Sequence, residues 1–176
     1  MAQLIIRELN RDKSDELEIY ERALYHAFKS YHQEVFDNLW TFDHAAERAS
    51  PLIPYAGQRI MIAEADGALI GAAAINLDMA TQLQIEKCGF TVNKIPGKTA
   101  EGLALFSSRL VVGREIVVAR LLDATVAMLR SASISTFWGS CDKKRLLGYL
   151  QLGFRNIAKV HFNGQDEFLL QRTLAV

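Results

Sequence analysis

The chain has little of what would tie it to a surface, a metal or an oxidising compartment. Its two cysteines, Cys88 and Cys141, fit no metal-ligand spacing and make no disulfide framework, so both are expected as reduced thiols. Charge of one sign is missing too. Twenty basic residues balance twenty acidic ones, which argues against a nucleic-acid partner or an anionic membrane. No apolar run approaches the roughly 18–20 residues of a membrane span. The opening stretch MAQLIIRELNRDKSDE lacks the apolar segment of a secretory leader. There is no internal repeat and no low-complexity segment. These absences leave one domain, 1–176, half apolar and long enough for a single buried core, expected in the cytoplasm with no bound metal.

What is there is organised around Arg109–Leu129, RLVVGREIVVARLLDATVAML. It reads as the end of a strand (Leu103–Val112), a very short turn at Gly113 and a helix. Apolar residues at Ile116, Val117, Leu121, Leu122, Val126 and Leu129 lie close to a one-face helical period. A strand feeding straight into a helix aims free N–H groups and the positive dipole end at whatever sits beside the turn, which suits a phosphate.

Around that stretch the order is strand, helix, helix, three strands, helix, strand, helix, two strands. Gln3–Leu9 alternates as a first strand. Ser14 is placed to cap a helix running to about Tyr31, with Asp15 and Glu16 in its first turn. Gln33 to about Ala49 reads as a second helix, closed by Pro51 and Pro54. Asp66-Gly67 marks a two-residue hairpin between Arg59–Ala65 and Ala68–Leu77. Met79–Ala100, broken by Gly89, Pro96 and Gly97, reads as an excursion with one helical turn or an extra strand: a substrate wall or a surface loop. Ser135–Cys141 is the fifth strand and Asp142–Leu152 the last helix. Phe154–Phe162 and Glu167–Leu174 close the chain as a hairpin.

Three blocks carry a resemblance. Arg114-Glu115-Ile116-Val117-Val118-Ala119 fits the frame Arg-x-x-Gly-x-Gly/Ala at its first and last positions, with Val117 where a glycine is preferred. Tyr149-Leu150-Gln151-Leu152-Gly153-Phe154 is similar to a Tyr-x-x-Leu-Gly-Phe signature, and Asp142 stands where an asparagine usually precedes it. Asp66-Gly67-Ala68-Leu69-Ile70-Gly71 is similar to a hairpin with a glycine shortly after its turn. Together, in register over residues 59–174, they resemble the GNAT superfamily of N-acetyltransferases. The resemblance implies an α/β (α+β) fold: a mixed, mostly antiparallel sheet of about six to seven strands, flanked by helices and splayed between its fourth and fifth strands.

It also implies transfer of an acyl group from acetyl-CoA, or another acyl-CoA, to the amine of a small molecule. Backbone N–H groups of Glu115, Ile116, Val117, Val118 and Ala119, with the charge of Arg114, would hold the pyrophosphate. The strand edge at Val111 and Val112 would pair with the pantetheine arm, and Asp142 lies in the donor site. Tyr149 would protonate the leaving thiolate. Read without the resemblance, Tyr149 sits at helical spacing from Leu146 and Leu152, as a core tyrosine would. No general base stands out. Glu101 begins the fourth strand, and Glu64 and His161 lie on others; a water chain is the alternative. The aromatic series Tyr20, Tyr25, Phe28, Tyr31, Phe36, Trp40 and Phe42 walls a pocket or fills the core.

Two further readings stay open. One is the branch near acyl-homoserine-lactone and N-acyl amino acid synthases, with long acyl chains and acyl carrier protein as donor partner. Its Glu-x-Ser-Arg motif is incomplete here at Phe106-Ser107-Ser108-Arg109. The other is a GNAT-fold module that binds acyl-CoA without turnover. Monomer and homodimer are both open.

Overall fold

Short β-branched runs and two tight turns build one seven-stranded sheet. A computed structural model describes residues 3–30, 39–108 and 112–175. Its elements are β1 (Ile5–Glu8), α1 (Ser14–Phe28), β2 (Trp40–Asp43), β3 (Arg48–Pro51), β4 (Gln58–Ala65) and β5 (Ala68–Asn76). There follow α2 (Gln84–Lys87), β6 (Thr99–Ser107), α3 (Arg114–Ser131), β7 (Thr136–Asp142), α4 (Lys143–Gln151), β8 (Arg155–Phe162) and β9 (Gln165–Thr173). The sheet order is β1-β4-β5-β6-β7-β9-β8, with β6 and β7 as its parallel neighbours and every other pair antiparallel.

The Asp66-Gly67 hairpin forms as read. Both residues take positive φ (50° and 78°), which a two-residue turn demands, and Ala65 faces Ala68. The closing hairpin turns the same way on Asn163 and Gly164, so Gln165 and Asp166 already belong to β9.

The second helix is not there in the described part of its span. Residues 31–38 lie outside the described chain, and the remainder is a small hairpin, β2–β3, pairing Trp40 with Pro51 through Asp43 with Arg48. Trp40 and Phe42 turn inward while Thr41 and Asp43 are exposed, a period of two rather than 3.6. Asp43 Oδ1 accepts the Ala46 N–H at 2.9 Å, and this local bond turns the helix-favouring Ala-Ala-Glu segment into a loop. Tertiary contact decides the rest: Arg48 reaches back to Glu21 of α1 at 2.5 Å. Ser14 does not cap α1 either. Lys13 holds the cap position without a side-chain bond, and Glu16 reaches back to the Asn10 N–H instead.

Helices and loops cover both faces of the sheet. α1, β2–β3 and the 79–92 segment pack on one face, burying Tyr20, Leu24, Leu83 and Ile85 completely. α3 packs on the other through Val117, Leu121, Val126 and Leu129. The excursion is therefore part of the core and not a surface loop. Its single helical turn, α2, is pinned to β6 by Glu101, whose Oε1 accepts the Ile85 N–H at 2.8 Å.

Two irregularities shape the middle of the sheet. The β5–β6 register slips between Ala74 and Ile75, which are opposite Ala104 and Gly102, so Leu103 is the extra residue. Beyond it, β6 and β7 part. They pair only at Thr99–Glu101 with Thr136–Trp138, after which β6 follows β5 and β7 follows β9. The sheet is open at that seam.

Candidate functional site

At the open seam each parallel strand ends in a helix. β6 leads through Gly113 into α3, and β7 leads through Asp142 into α4, so two helix N-termini meet the gap. Gly113 makes the first junction: φ 78° and ψ 35° place it in the left-handed region, where glycine is unstrained. Asp142 makes the second, its Oδ1 accepting the Arg145 N–H and its Oδ2 the guanidinium, both at 3.0 Å. In this fold Asp142 is thus a helix cap and an ion-pair partner.

A cleft of about 270 Å³ lies between the ends of β6 and α4. Arg114, Lys144 and Arg145 give its rim positive charge, and Phe28, Leu105 and Tyr149 give it an apolar floor. Behind it the gap continues as a space of about 70 Å³ lined by small groups, among them Ala73, Gly102, Ala104 and Gly139, and by the rings of Phe137 and Phe154. On the α1 side lies a third space of about 90 Å³, edged by Gln84, Cys88, Cys141 and Glu167. Leu105 and Tyr149 border all three.

The sequence-derived donor loop is narrower than expected. The Ile116 and Val117 N–H groups donate to Gly113 O at 2.9 and 3.3 Å, and those of Val118 and Ala119 belong to the helical ladder. Arg114 and Glu115, both exposed, keep N–H groups outside that ladder. The Val117 side chain is buried at 4% exposure and faces β5, where its Cγ1 lies 3.1 Å from the position a Cβ would take on Gly71. It points away from the cleft, and the glycine of the hairpin makes room for it. Ile116 is exposed.

Val111 lies outside the described residues. Val112 is fully exposed in the turn and not on a strand edge, because β6 ends at Ser107. The unpaired edge available to a ligand is instead Gly102–Ser107, where β6 has left β7.

Tyr149 lies on α4 with its ring edge-on to Phe154 at 5.5 Å. Burial pushes its phenol up to about 12, with Cys141 and Asp142 adding to the shift against Arg145. It is therefore protonated at neutral pH, and its hydroxyl has no hydrogen-bond partner among the described residues. Of the aromatic series, Tyr20, Tyr25 and Trp40 fill the core, while Phe28 reaches the cleft; Tyr31 and Phe36 lie outside the described residues.

The acids considered from sequence stand elsewhere. Glu64 pairs with Arg7 at 2.8 Å, and His161 is exposed beside Asp166. Glu101 is fully buried beneath α2, and desolvation lifts its carboxyl to about 7. Sequence reasoning missed Glu167. It is the third residue of β9, opposite Asp142, is 7% exposed, and borders the α1-side space. Burial, and then Asp142, raise its carboxyl to about 7. Its one signal in the sequence is a charge at the head of the strand run Phe168-Leu169-Leu170, which is buried on both faces. Among the described residues, no three His, Cys, Asp or Glu side chains converge on a point that would hold a metal.

The architecture has known counterparts. The chain is similar to the acyl-homoserine-lactone synthase LasI, with a TM-score of 0.79 over 99% of this chain and 92% of that one, at 12% identity. It is similar to a putative acetyltransferase of the GNAT family from Desulfovibrio desulfuricans, with a TM-score of 0.66 over 98% and 100% at 13% identity. This is the GNAT fold. An aminoglycoside 6'-N-acetyltransferase solved with coenzyme A also shares it, with a TM-score of 0.68 over 98% of both chains at 12% identity. No protein-family model matches the sequence, and no curated protein sequence does. The likeness is one of fold: seven strands, mostly antiparallel, flanked by helices. No described helix is long and apolar enough to cross a membrane.

Proposed function

We propose that the chain is an N-acyltransferase that moves an acyl group, acetyl first, from acyl-CoA to the amine of a small molecule by direct attack on the thioester. The observation that carries this reading is the cleft at the β6–β7 seam. It combines the free end of α3, three cations and an unpaired strand edge above a half-buried phenol. Arg114, Lys144 and Arg145, with the Arg114 and Glu115 N–H groups, suit a pyrophosphate. The edge Gly102–Ser107 suits the amides of a pantetheine arm.

The step needs modest machinery. A neutral amine forms the new C–N bond, the C–S bond breaks, the nitrogen loses a proton and the sulfur gains one. Tyr149, protonated and bordering all three spaces, would give the sulfur its proton. The nitrogen's proton passes to a base or to water, which restores the balance.

The space behind Tyr149 favours a second reading, transfer of a longer acyl chain with acyl carrier protein as donor. Ala73, Gly102, Ala104 and Gly139 leave room there for an alkyl tail. Thiol release from acetyl-CoA and from longer acyl-CoAs, with a panel of amines, separates the two readings, alongside calorimetry with CoA. Fastest release from the longer esters selects the second. Donor binding with no thiol release for any amine leaves a binding module. No heat with millimolar CoA and folded protein overturns the first reading and the binding module, and leaves only a donor carried by acyl carrier protein.

A further inference from the structure

Exposed apolar side chains are unevenly placed on this molecule. Among the described residues the three most exposed large ones are Val112 (100%), Leu147 (67%) and Ile116 (63%). Others, such as Ile5 on β1 and Ile19 on α1, lie on separate elements, as scattered surface apolars do. The three belong to one layer. Val112 is in the turn before α3, Ile116 in the first turn of α3 and Leu147 on α4, and both helices pack on the same face of the sheet.

Helix geometry aims these side chains outward. At about 100° per residue, Leu147 stands about 200° round α4 from Tyr149, which faces the cavities. Leu150, one turn on, is exposed on the same outer side. Ile116 stands about 100° round α3 from the buried Val117.

Charge gathers on the same side. The first turn of α4 is Lys143-Lys144-Arg145, with no acid in it. Cations at the positive end of a helix raise its energy, and Asp142 offsets Arg145 alone. Lys143 and Lys144 make no ion pair among the described residues, and they precede Leu147 by four and three positions, so they flank it. Arg114 and Arg120 add charge along α3, where Glu115 and Asp123 are the acids. The chain's balance of twenty basic against twenty acidic residues is a sum over its whole surface, and α4 departs from it.

We infer that the outer side of α3 and α4 docks on an anionic lipid surface. Val112, Ile116 and Leu147 enter the acyl boundary, and Arg114, Lys143 and Lys144 stay at the phosphates. The apolar residues protrude separately from a turn and two helices, with cations between them. A fluid surface accepts such separate points, whereas a protein partner needs a continuous complementary patch. The contact is peripheral, since no described helix is long and apolar enough to cross a bilayer. Arg114 and Lys144 also border the donor cleft, so docking brings its rim to the headgroups. The binding itself does not rest on acyl transfer.

Vesicle flotation of the full chain tests this, with phosphatidylcholine vesicles and equimolar phosphatidylcholine–phosphatidylglycerol vesicles. Wild type is expected to float with the anionic vesicles, to stay behind with the neutral ones and to be released as salt is raised. Leu147→Gln should weaken binding about tenfold and Lys143→Gln about fivefold. Melting temperature and CoA affinity should hold, because both side chains are exposed and outside the cleft. Failure to float with anionic vesicles overturns the proposal, as does equal flotation with both kinds. Flotation that neither variant weakens puts the contact on another face and overturns it too. If Leu147→Gln instead dissolves a self-association or releases acyl carrier protein, the face belongs to a protein and the lipid is overturned. Vesicle binding by a chain that binds no CoA would sink the acyl-CoA reading alone.

Discussion

At the scale of single residues, two side chains that share a sequence neighbourhood with family motifs separate cleanly by where they point. Tyr149 faces the cavities and has no described partner for its hydroxyl, so Tyr149→Phe removes chemistry and almost nothing else. Turnover should fall by about 10²–10⁴-fold with CoA affinity and melting temperature held. Wild-type turnover in that variant would assign Tyr149 to packing. Val117 faces the core, so Val117→Gly does not open the donor loop. It removes a buried side chain from the α3–β5 contact and puts glycine inside a helix, costing about 2–4 kcal/mol. Denaturant unfolding and calorimetry should report lower stability and no gain in CoA affinity. Tighter binding would mean that the valine stands beside the ligand after all.

At the scale of elements, the start of α3 is positioned by two glycines from different parts of the chain. Gly113 supplies the left-handed turn. A Cβ there would meet only Ile116 Cδ1 at 3.5 Å, so Gly113→Ala is expected to cost strain of about 1–2 kcal/mol and no clash. Gly71 supplies the space. A Cβ there would sit 2.7 Å from Phe106 O and 3.2 Å from Leu121 Cδ1, so helix and sheet must separate. Gly71→Ala should lose about 1–3 kcal/mol and weaken CoA binding, because the helix end and the β6 edge move apart. Unfolding and calorimetry on the two variants divide strain from displacement. Unchanged CoA affinity in Gly71→Ala would show that the close approach of α3 to β5 does not set the cleft.

At the scale of the whole molecule, buried carboxyls give stability a pH dependence opposite to that of the surface pairs. Glu101 and Glu167 both rise from 4.5 to about 7 through burial. Raised acids bind protons more tightly in the folded state. Their contribution is complete below about pH 4.5 and is lost as pH climbs through 7, on the order of 3 kcal/mol for each. Glu16 and Asp166, lowered by Arg7 and by Lys159, act in reverse and withdraw their support as the solution turns acid. Stability should therefore peak near pH 5 and decline to pH 8. Melting curves of Glu101→Gln should match wild type at pH 5 and exceed it at pH 8. Equal shifts at both values would show that the buried carboxyl does not titrate in this range.

How far the sequence reached follows from which interactions are local. Asp66-Gly67, the period of α3 and the alternation of the outer strands are properties of neighbouring residues, and they gave the element order apart from the second helix; the three motif blocks, in register, implied the GNAT fold and its open seam. Tyr149, Arg114 and Asp142 were singled out because short motifs place them on a named helix or turn. The tertiary structure decided the rest. Residues 44–49 left their helical reading for a hairpin because Arg48 bonds Glu21, 27 positions earlier in the chain. The 79–92 segment, illegible in its breakers, became core because Glu101 and Leu103 lie beneath it. Val117 changed from an obstacle to a packing residue because Gly71, far off in sequence, leaves it space. Glu167 drew its environment from β7, α4 and the 79–92 segment at once, so nothing in the residues beside it announced a carboxyl held near neutrality. Periodicity and turn chemistry act between near neighbours and can be read in line. Burial, desolvation and close approach are sums over distant residues, and they take a value only when the chain has folded.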